Sequence, residues 1–265
     1  MSNSEPAALY FHGLPGSARD LHMFGEGVAE QAGYLHVIER GPEIPAEAPE
    51  GYFARLAARI ERDFSARPLR LTGFSLGAAT ALRVAPHLGD RVEQIDLVSP
   101  AGPLSAGNFL PQMAGEPVFR AAMAGSLRLA AVTWVQAQAA RSMPQRMARM
   151  LMAKAQGADR ELAREEAFIE NLAASLRYSL LHARSAYRRE IELYVEDWQG
   201  LLSQVGQPVT IHQGDADDWT PPEMARALAN SLGNLQGLHI HPGLSHFSTL
   251  RAYLAFFSAK PAERP

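Results

Sequence analysis

The chain of 265 residues contains no cysteine. That excludes disulfides, thiolate metal sites and a cysteine nucleophile together, and it fits a reducing, cytoplasmic setting. No apolar run approaches the roughly 20 residues that a membrane-spanning helix requires. The opening Met1–Pro6 lacks the basic stretch and apolar core of a signal peptide. An excess of one charge is missing too. The balance of 25 cationic against 28 anionic residues gives a net charge of −3, which argues against nucleic acid or an anionic membrane surface as a partner. There is no G-x-G-x-x-G run and no metal-ligand spacing, so no metal or organic cofactor is called for. What is present, 47% hydrophobic and 20% charged residues, suits one globular α/β unit carrying an insertion.

Short apolar runs alternate with helical patterns, which predicts a parallel sheet with crossover helices. The strands are expected at 7–12, 34–39, 68–73, 93–99, 208–213 and 236–241. Between the second and third, Phe53, Leu56, Ala57, Ile60 and Phe64 share a helical face. Thr220-Pro221-Pro222-Glu223 reads as a capping box opening a further helix. Residues 103–205 break the alternation and are expected to form an all-helical insertion, with 1–102 and 206–265 as the core. Phe119, Met123, Leu127, Ala130 and Trp134 form one apolar stripe there, and Ser142–Gln145 reads as a second capping box. Further stripes run through Leu162, Ile169, Leu172 and Leu176, and through Tyr187, Ile191, Tyr194 and Trp198. The acids Glu161, Glu165, Glu166, Glu170, Glu190, Glu192, Glu196 and Asp197 read as a solvated face, one of which could meet a substrate ammonium. Six of the nine methionines fall between 113 and 152; they suit either an acyl pocket or gap-filling between helices. The tail at 260–265 reads as frayed.

Gly73-Phe74-Ser75-Leu76-Gly77 matches G-x-S-x-G between a strand-like and a helix-like run. On a turn this tight, bulky flanks would clash, so glycine at 73 and 77 has a steric reason. A serine opening a helix can also be an ordinary N-cap. Three other segments weigh against that reading: His12-Gly13-Leu14-Pro15-Gly16, Gln213–Pro221 with its acids Asp215, Asp217 and Asp218, and Ser245-His246-Phe247. Serine, then aspartate, then histidine is one of the chain orders in which a proton-relay triad occurs.

On these segments the chain resembles the α/β-hydrolase family, specifically the branch with H-G-x-P-G-S at the front, G-x-S-x-G at the elbow and a helical cap before the acid. The resemblance runs from His12 to His246. It implies a reduced, mostly parallel sheet of about six strands, because the eleven residues before His12 leave no room for the two opening strands. It also implies Ser75 as nucleophile, His246 as general base and acid, and Asp217 as the acid orienting it, matched through Gly214 before and Pro221 after, with Asp215 as the alternative. The backbone N–H groups of Leu14 and Leu76 would serve the oxyanion, each worth roughly 3 kcal/mol of barrier. His12 and Gly13 would support that loop. One departure is the proline-rich segment at 39–46, where relatives carry a glycine-rich loop.

The implied activity is a cofactor-independent serine hydrolase acting on a small ester or thioester with an apolar acyl or aromatic part. Alternatives are an aminopeptidase of the proline iminopeptidase type, a carbon–carbon bond hydrolase, and a noncatalytic binding protein.

Overall fold

The computed structural model describes residues 5–40, 49–65 and 67–257. The proline-rich departure falls largely on 41–48 and the expected frayed tail on 260–265, both outside the described residues. Six parallel strands form one sheet: β1 (Ala7–Phe11), β2 (Leu35–Val37), β3 (Leu69–Phe74), β4 (Val92–Val98), β5 (Val209–Gly214) and β6 (Leu235–His241). All six expected strands are present. β1, β3 and β5 are buried almost throughout because helices cover both faces of a parallel sheet. β6, at the sheet edge, is half-exposed along its length.

The strand order is β2-β1-β3-β4-β5-β6. The chain steps outward from β1 to β2, returns on the far side of β1 as β3, and then winds outward the other way. The winding direction therefore reverses between β1 and β3. Such a reversal opens a crevice beyond the carboxyl ends of the two strands, where ligands bind in open α/β sheets. The loop carrying His12 and the turn carrying Ser75 leave from these two strand ends.

Among the described residues three α-helices precede β4: α1 (Glu26–Gln31), α2 (Pro49–Asp63) and α3 (Leu76–Leu88). On α2 the predicted face is buried at Phe53, Leu56, Ala57 and Ile60. In α3 every residue from Leu76 to Ala85 is buried, so its small side chains let it run centrally against the sheet. Between β4 and β5 lie only helices and turns: α4 (Glu116–Met123), α5 (Ser126–Ser142), α6 (Pro144–Leu151), α7 (Asp159–Leu162), α8 (Glu166–Arg177) and α9 (Arg184–Val195). α10 (Pro222–Ser231) follows β5, and α11 (His246–Ala252) follows β6. Among the described residues no helix is long and apolar enough to cross a membrane.

Several local expectations fail. The stripe from Phe119 to Trp134 is not one face: α4 ends at Met123 and α5 starts at Ser126, leaving Met123, Leu127 and Trp134 exposed. Neither capping box forms. Ser142 closes α5 and donates to the Gln138 carbonyl (2.8 Å), while Met143 stands at the start of α6. Thr220 is drawn into the interior, so α10 starts after Pro221 without a side-chain cap. The methionines divide: Met113 and Met147 line a cavity, Met152 is buried, and Met123, Met143 and Met150 face solvent.

Glu190 departs most from the expected solvated face. It is buried on α9, 3.1 Å from Arg40 Nε, with the N–H poorly aligned, so that the contact is mainly electrostatic. Tyr52 donates to the same carboxylate at 2.7 Å. Arg40 Nη2 in turn donates to the His12 carbonyl at 2.6 Å. This pair ties the segment after β2 to the inserted helices and to the loop after β1. Glu190→Ala leaves Arg40 buried and uncompensated and is expected to cost about 3–5 kcal/mol in urea unfolding. The double replacement Arg40→Met with Glu190→Met should recover most of that loss.

Candidate active site

Ser75 sits between β3 and α3 at φ 55° and ψ −125°, a backbone conformation that costs a non-glycine residue roughly 1–3 kcal/mol and persists where surroundings over-determine it. Three backbone hydrogen bonds of 3.0 Å fix it: Ser75 N–H to the Val98 carbonyl, and the Ala78 and Ala101 N–H groups to the Ser75 carbonyl. The side chain makes no capping bond to α3, so the ordinary N-cap reading fails. The flanking glycines are sterically required. A Cβ on Gly77 would run into the carbonyl oxygens of Phe11 and His12, and one on Gly73 would lie 2.5 Å from the Ala78 Cα.

Asp217 leaves the carboxyl end of β5, and its two oxygens lie 3.0 and 3.2 Å from His246 Nδ1. The Trp219 and Thr220 N–H groups each donate to Oδ1 at 2.9 Å. Gln213 Nε2 lies 3.2 Å from Oδ2. Burial alone would push this carboxyl up, but His246 and these hydrogen bonds more than offset it and hold the pKa below the usual carboxylate range. The ionised acid accepts from Nδ1–H, which leaves Nε2 as the basic nitrogen. The ring lies nearly parallel to Trp219 (12°, centroids 5.3 Å apart) and against Phe74 at 4.7 Å. The two competing acids serve elsewhere. Asp215 accepts the Gly243 N–H at 2.7 Å near the surface. Asp218 is half-buried, with a pKa raised by burial and by Asp217.

Ser75 stands where two cavities adjoin. One is an apolar chamber of about 210 Å³ lined by Leu14, Leu76 and Trp219 and by residues of α4, α5, α6, α8 and α9. The other, about 20 Å³, is shared by Ser75, Gly13, Asp20 and His246, and has room for about one water. Among the described residues the hydrogen bonds of the His246 ring all fall on Nδ1, and none joins Nε2 to the Ser75 hydroxyl. Leu14 and Leu76 both face the chamber, and among the described residues neither N–H is taken by a backbone carbonyl. His12 supports this loop: Nδ1–H donates to the Gly13 carbonyl at 2.7 Å. Burial, then Arg40, hold its pKa well below the usual imidazole range, so the ring is neutral.

Three buried residues around the site escaped the sequence reading. Ser99, after β4, also has positive φ (44°), and its carbonyl lies 3.0 Å from the Thr220 hydroxyl. Asp159 of α7 accepts the N–H groups of Phe247 (3.0 Å) and Ser248 (2.7 Å), capping the helix that begins at His246. Asp20 accepts the Ser17 N–H at 3.2 Å and the Ser175 hydroxyl at 3.3 Å behind the Leu14 loop. Only Asp20 had a local signal, the capping box Ser17-x-x-Asp20, which does form. Among the described residues, no group of three or more His, Asp or Glu side chains could hold a metal ion.

A parallel sheet with a strained serine elbow at its winding reversal, faced by an imidazole with a carboxylate behind it, defines an α/β-hydrolase. The family model described as "Serine aminopeptidase, S33" matches residues 53–249, and the chain belongs to that family. Solved structures share the fold at low identity. Bromoperoxidase from Bacillus anthracis is 15% identical with a TM-score of 0.63, covering 96% of this chain and 89% of its own. A thermophilic esterase from Thermogutta terrifontis is 18% identical at 0.63, covering 95% and 85%. A hydrolase from Oleispira antarctica is 17% identical at 0.63, covering 97% and 92%. A comparison with curated proteins finds no match.

Burial raises the Asp20 pKa to about 7, against the opposing pull of its hydrogen bonds and Arg40. The folded protein therefore keeps a proton that the unfolded chain loses near pH 4. Unfolding releases that proton, so stability should fall as pH climbs from about 4 to about 7, by up to about 1.4 kcal/mol per unit. Denaturant titrations of the parent and Asp20→Asn across this window should differ in slope, with the variant flatter.

Proposed function

We propose that the protein is a serine hydrolase that cleaves a carboxylic ester or thioester through an acyl-enzyme on Ser75. The observation that carries this reading is the contact of His246 Nδ1 with Asp217, together with the lining of one small cavity by both His246 and Ser75. A serine hydroxyl is a weak nucleophile near neutrality. In the proposed cycle Nε2 takes its proton as Oγ attacks the carbonyl, and Asp217 stabilises the imidazolium. The oxyanion is received by the N–H groups of Leu14 and Leu76. His246 then protonates the leaving alcohol or thiol. A water in the small pocket beside His246, giving its proton to the same base, then attacks the acyl-enzyme; the carbonyl–Oγ bond breaks, His246 returns the proton to Ser75 Oγ and the carboxylic acid leaves. The Ser75 hydroxyl and Nε2 need to close into a hydrogen bond with substrate present, as catalytic contacts often do.

Residues 103–205 act in this reading as a cap whose helices shape the chamber. Its lining is apolar apart from Ser75, Gln136, Tyr187, Trp219 and Thr220, which favours an uncharged acyl or aromatic group. The family description favours a second reading, amide cleavage next to a free amine. That reading needs a carboxylate at the amine. Glu190 is engaged by Arg40 and Tyr52, and the chamber lining contains no acid. Ester cleavage is therefore preferred.

A fluorophosphonate probe should label Ser75 in the folded protein and leave Ser75→Ala unlabelled; absence of label on the parent would sink the proposal. Asp217→Asn should lower kcat on a short-chain ester by about 10⁴ by allowing the wrong tautomer, while Asp215→Asn stays near the parent. Faster turnover of amides with a free N-terminal amine than of blocked amides or esters would favour the second reading.

A further inference from the structure

The near-neutral total charge conceals a sharp local imbalance. From Pro117 to Ala158 the chain has no acidic residue, but carries Arg120, Arg128, Arg141, Arg146, Arg149 and Lys154, all exposed. Arg120 pairs with Glu116 and Arg149 with Glu166. Among the described residues the other four cations form no ion pair. The same stretch holds most of the large exposed apolar side chains: Leu127 is 86% exposed and Trp134 56%, joined by Val135, Met123, Met143 and Met150. On α5, Leu127 and Trp134 are seven residues apart and so share a face; on α6, Arg146 and Met150 share one. Large apolar side chains left exposed this close together in the chain are a feature of interaction surfaces.

From these two observations we propose that the outer face of α5 and α6 docks on an anionic phospholipid surface. Leucine and tryptophan facing outward on helices that carry arginines and no acid of their own is the make-up of a helix lying in a lipid interface. Anionic headgroups supply the countercharge, and each cation near such a leaflet is worth about a fivefold factor in binding. A second copy of the chain fits poorly, because a self-complementary contact would set cation against cation. The inner sides of the same helices line the chamber with Val132, Gln136, Met147 and Leu151. Docking therefore brings the chamber wall to the lipid surface, within reach of an amphiphile. The inference does not depend on the chemistry at Ser75.

The test is flotation of the full chain with vesicles of phosphatidylcholine, with and without phosphatidylglycerol, at low and high salt. Binding should require the anionic lipid, weaken with salt, and shift Trp134 emission to the blue. Leu127→Asp with Trp134→Asp, and separately Arg128→Glu with Arg146→Glu, should each weaken binding by about tenfold or more. Both variants should keep the parent's thermal unfolding and its turnover of a soluble short-chain ester, so that loss of docking is distinguished from loss of the enzyme. No binding to anionic vesicles at low salt, or equal binding by the parent and both variants, would overturn the proposal. A dimer dissolved by Leu127→Asp in the absence of vesicle binding would also overturn it and assign the face to a second copy.

Discussion

The site rests on one close approach. The first turn of α3 is pressed against the carboxyl end of β1 so tightly that the Phe11 and His12 carbonyls occupy the space of a Cβ on residue 77. That contact forces the chain from β3 into α3 through a reversal too sharp for ordinary backbone angles, and Ser75 takes the strained position. The strain is held by hydrogen bonds to β4 and to the loop beyond it. The same approach brings the loop after β1 beside the serine, because β1 and β3 are neighbours at the point where the sheet reverses its winding.

Around this point the polar groups interlock across long sequence distances. Asp217 is ionised in a buried site because donors from Trp219, Thr220 and Gln213 surround it and His246 stands in front. The Thr220 hydroxyl is within reach of both the Ser99 carbonyl (3.0 Å) and Asp217 Oδ2 (3.1 Å) and donates to one at a time. Asp159, from the inserted helices, caps the helix that His246 opens. The insertion thus lines the chamber and also braces the helix that carries the imidazole. The Arg40–Glu190 pair does a related job on the other flank, joining α9 to the loop that carries His12 and Gly13.

The inserted helices divide their surfaces between three environments. Met147 and Val132 face the chamber, Leu129 and Ala140 are buried, and Leu127 and Trp134 face outward. A helix with apolar residues nearly all round shows no single hydrophobic stripe, which is why a pattern drawn from Phe119 to Trp134 crossed a helix boundary and mixed inner with outer positions. The same ambiguity hid Glu190, one of two acids on a helix that packs mainly against α4 and α5, and it is singled out only by side chains that reach it from α2 and from the segment after β2.

The family resemblance implied the reduced sheet; strand positions, the elbow and the chain order of serine, acid and histidine were legible from the amino acids alone. Each rests on local rules: continuous apolar runs in buried parallel strands, glycine where no Cβ fits, and polar residues gathered just beyond strand ends. The family resemblance pointed to Asp217 through Gly214 and Pro221; the turn itself does not encode which of its three acids meets His246, and the fold brings Asp217 to the imidazole and Asp215 to the Gly243 N–H. Ser99, Asp159 and Glu190 acquire their roles through partners about 90 to 150 residues away, which no local pattern encodes. The drawing of Thr220 out of its helix cap into the site has the same cause: a buried carboxylate and a carbonyl compete for its hydroxyl, and tertiary burial outweighs the local preference.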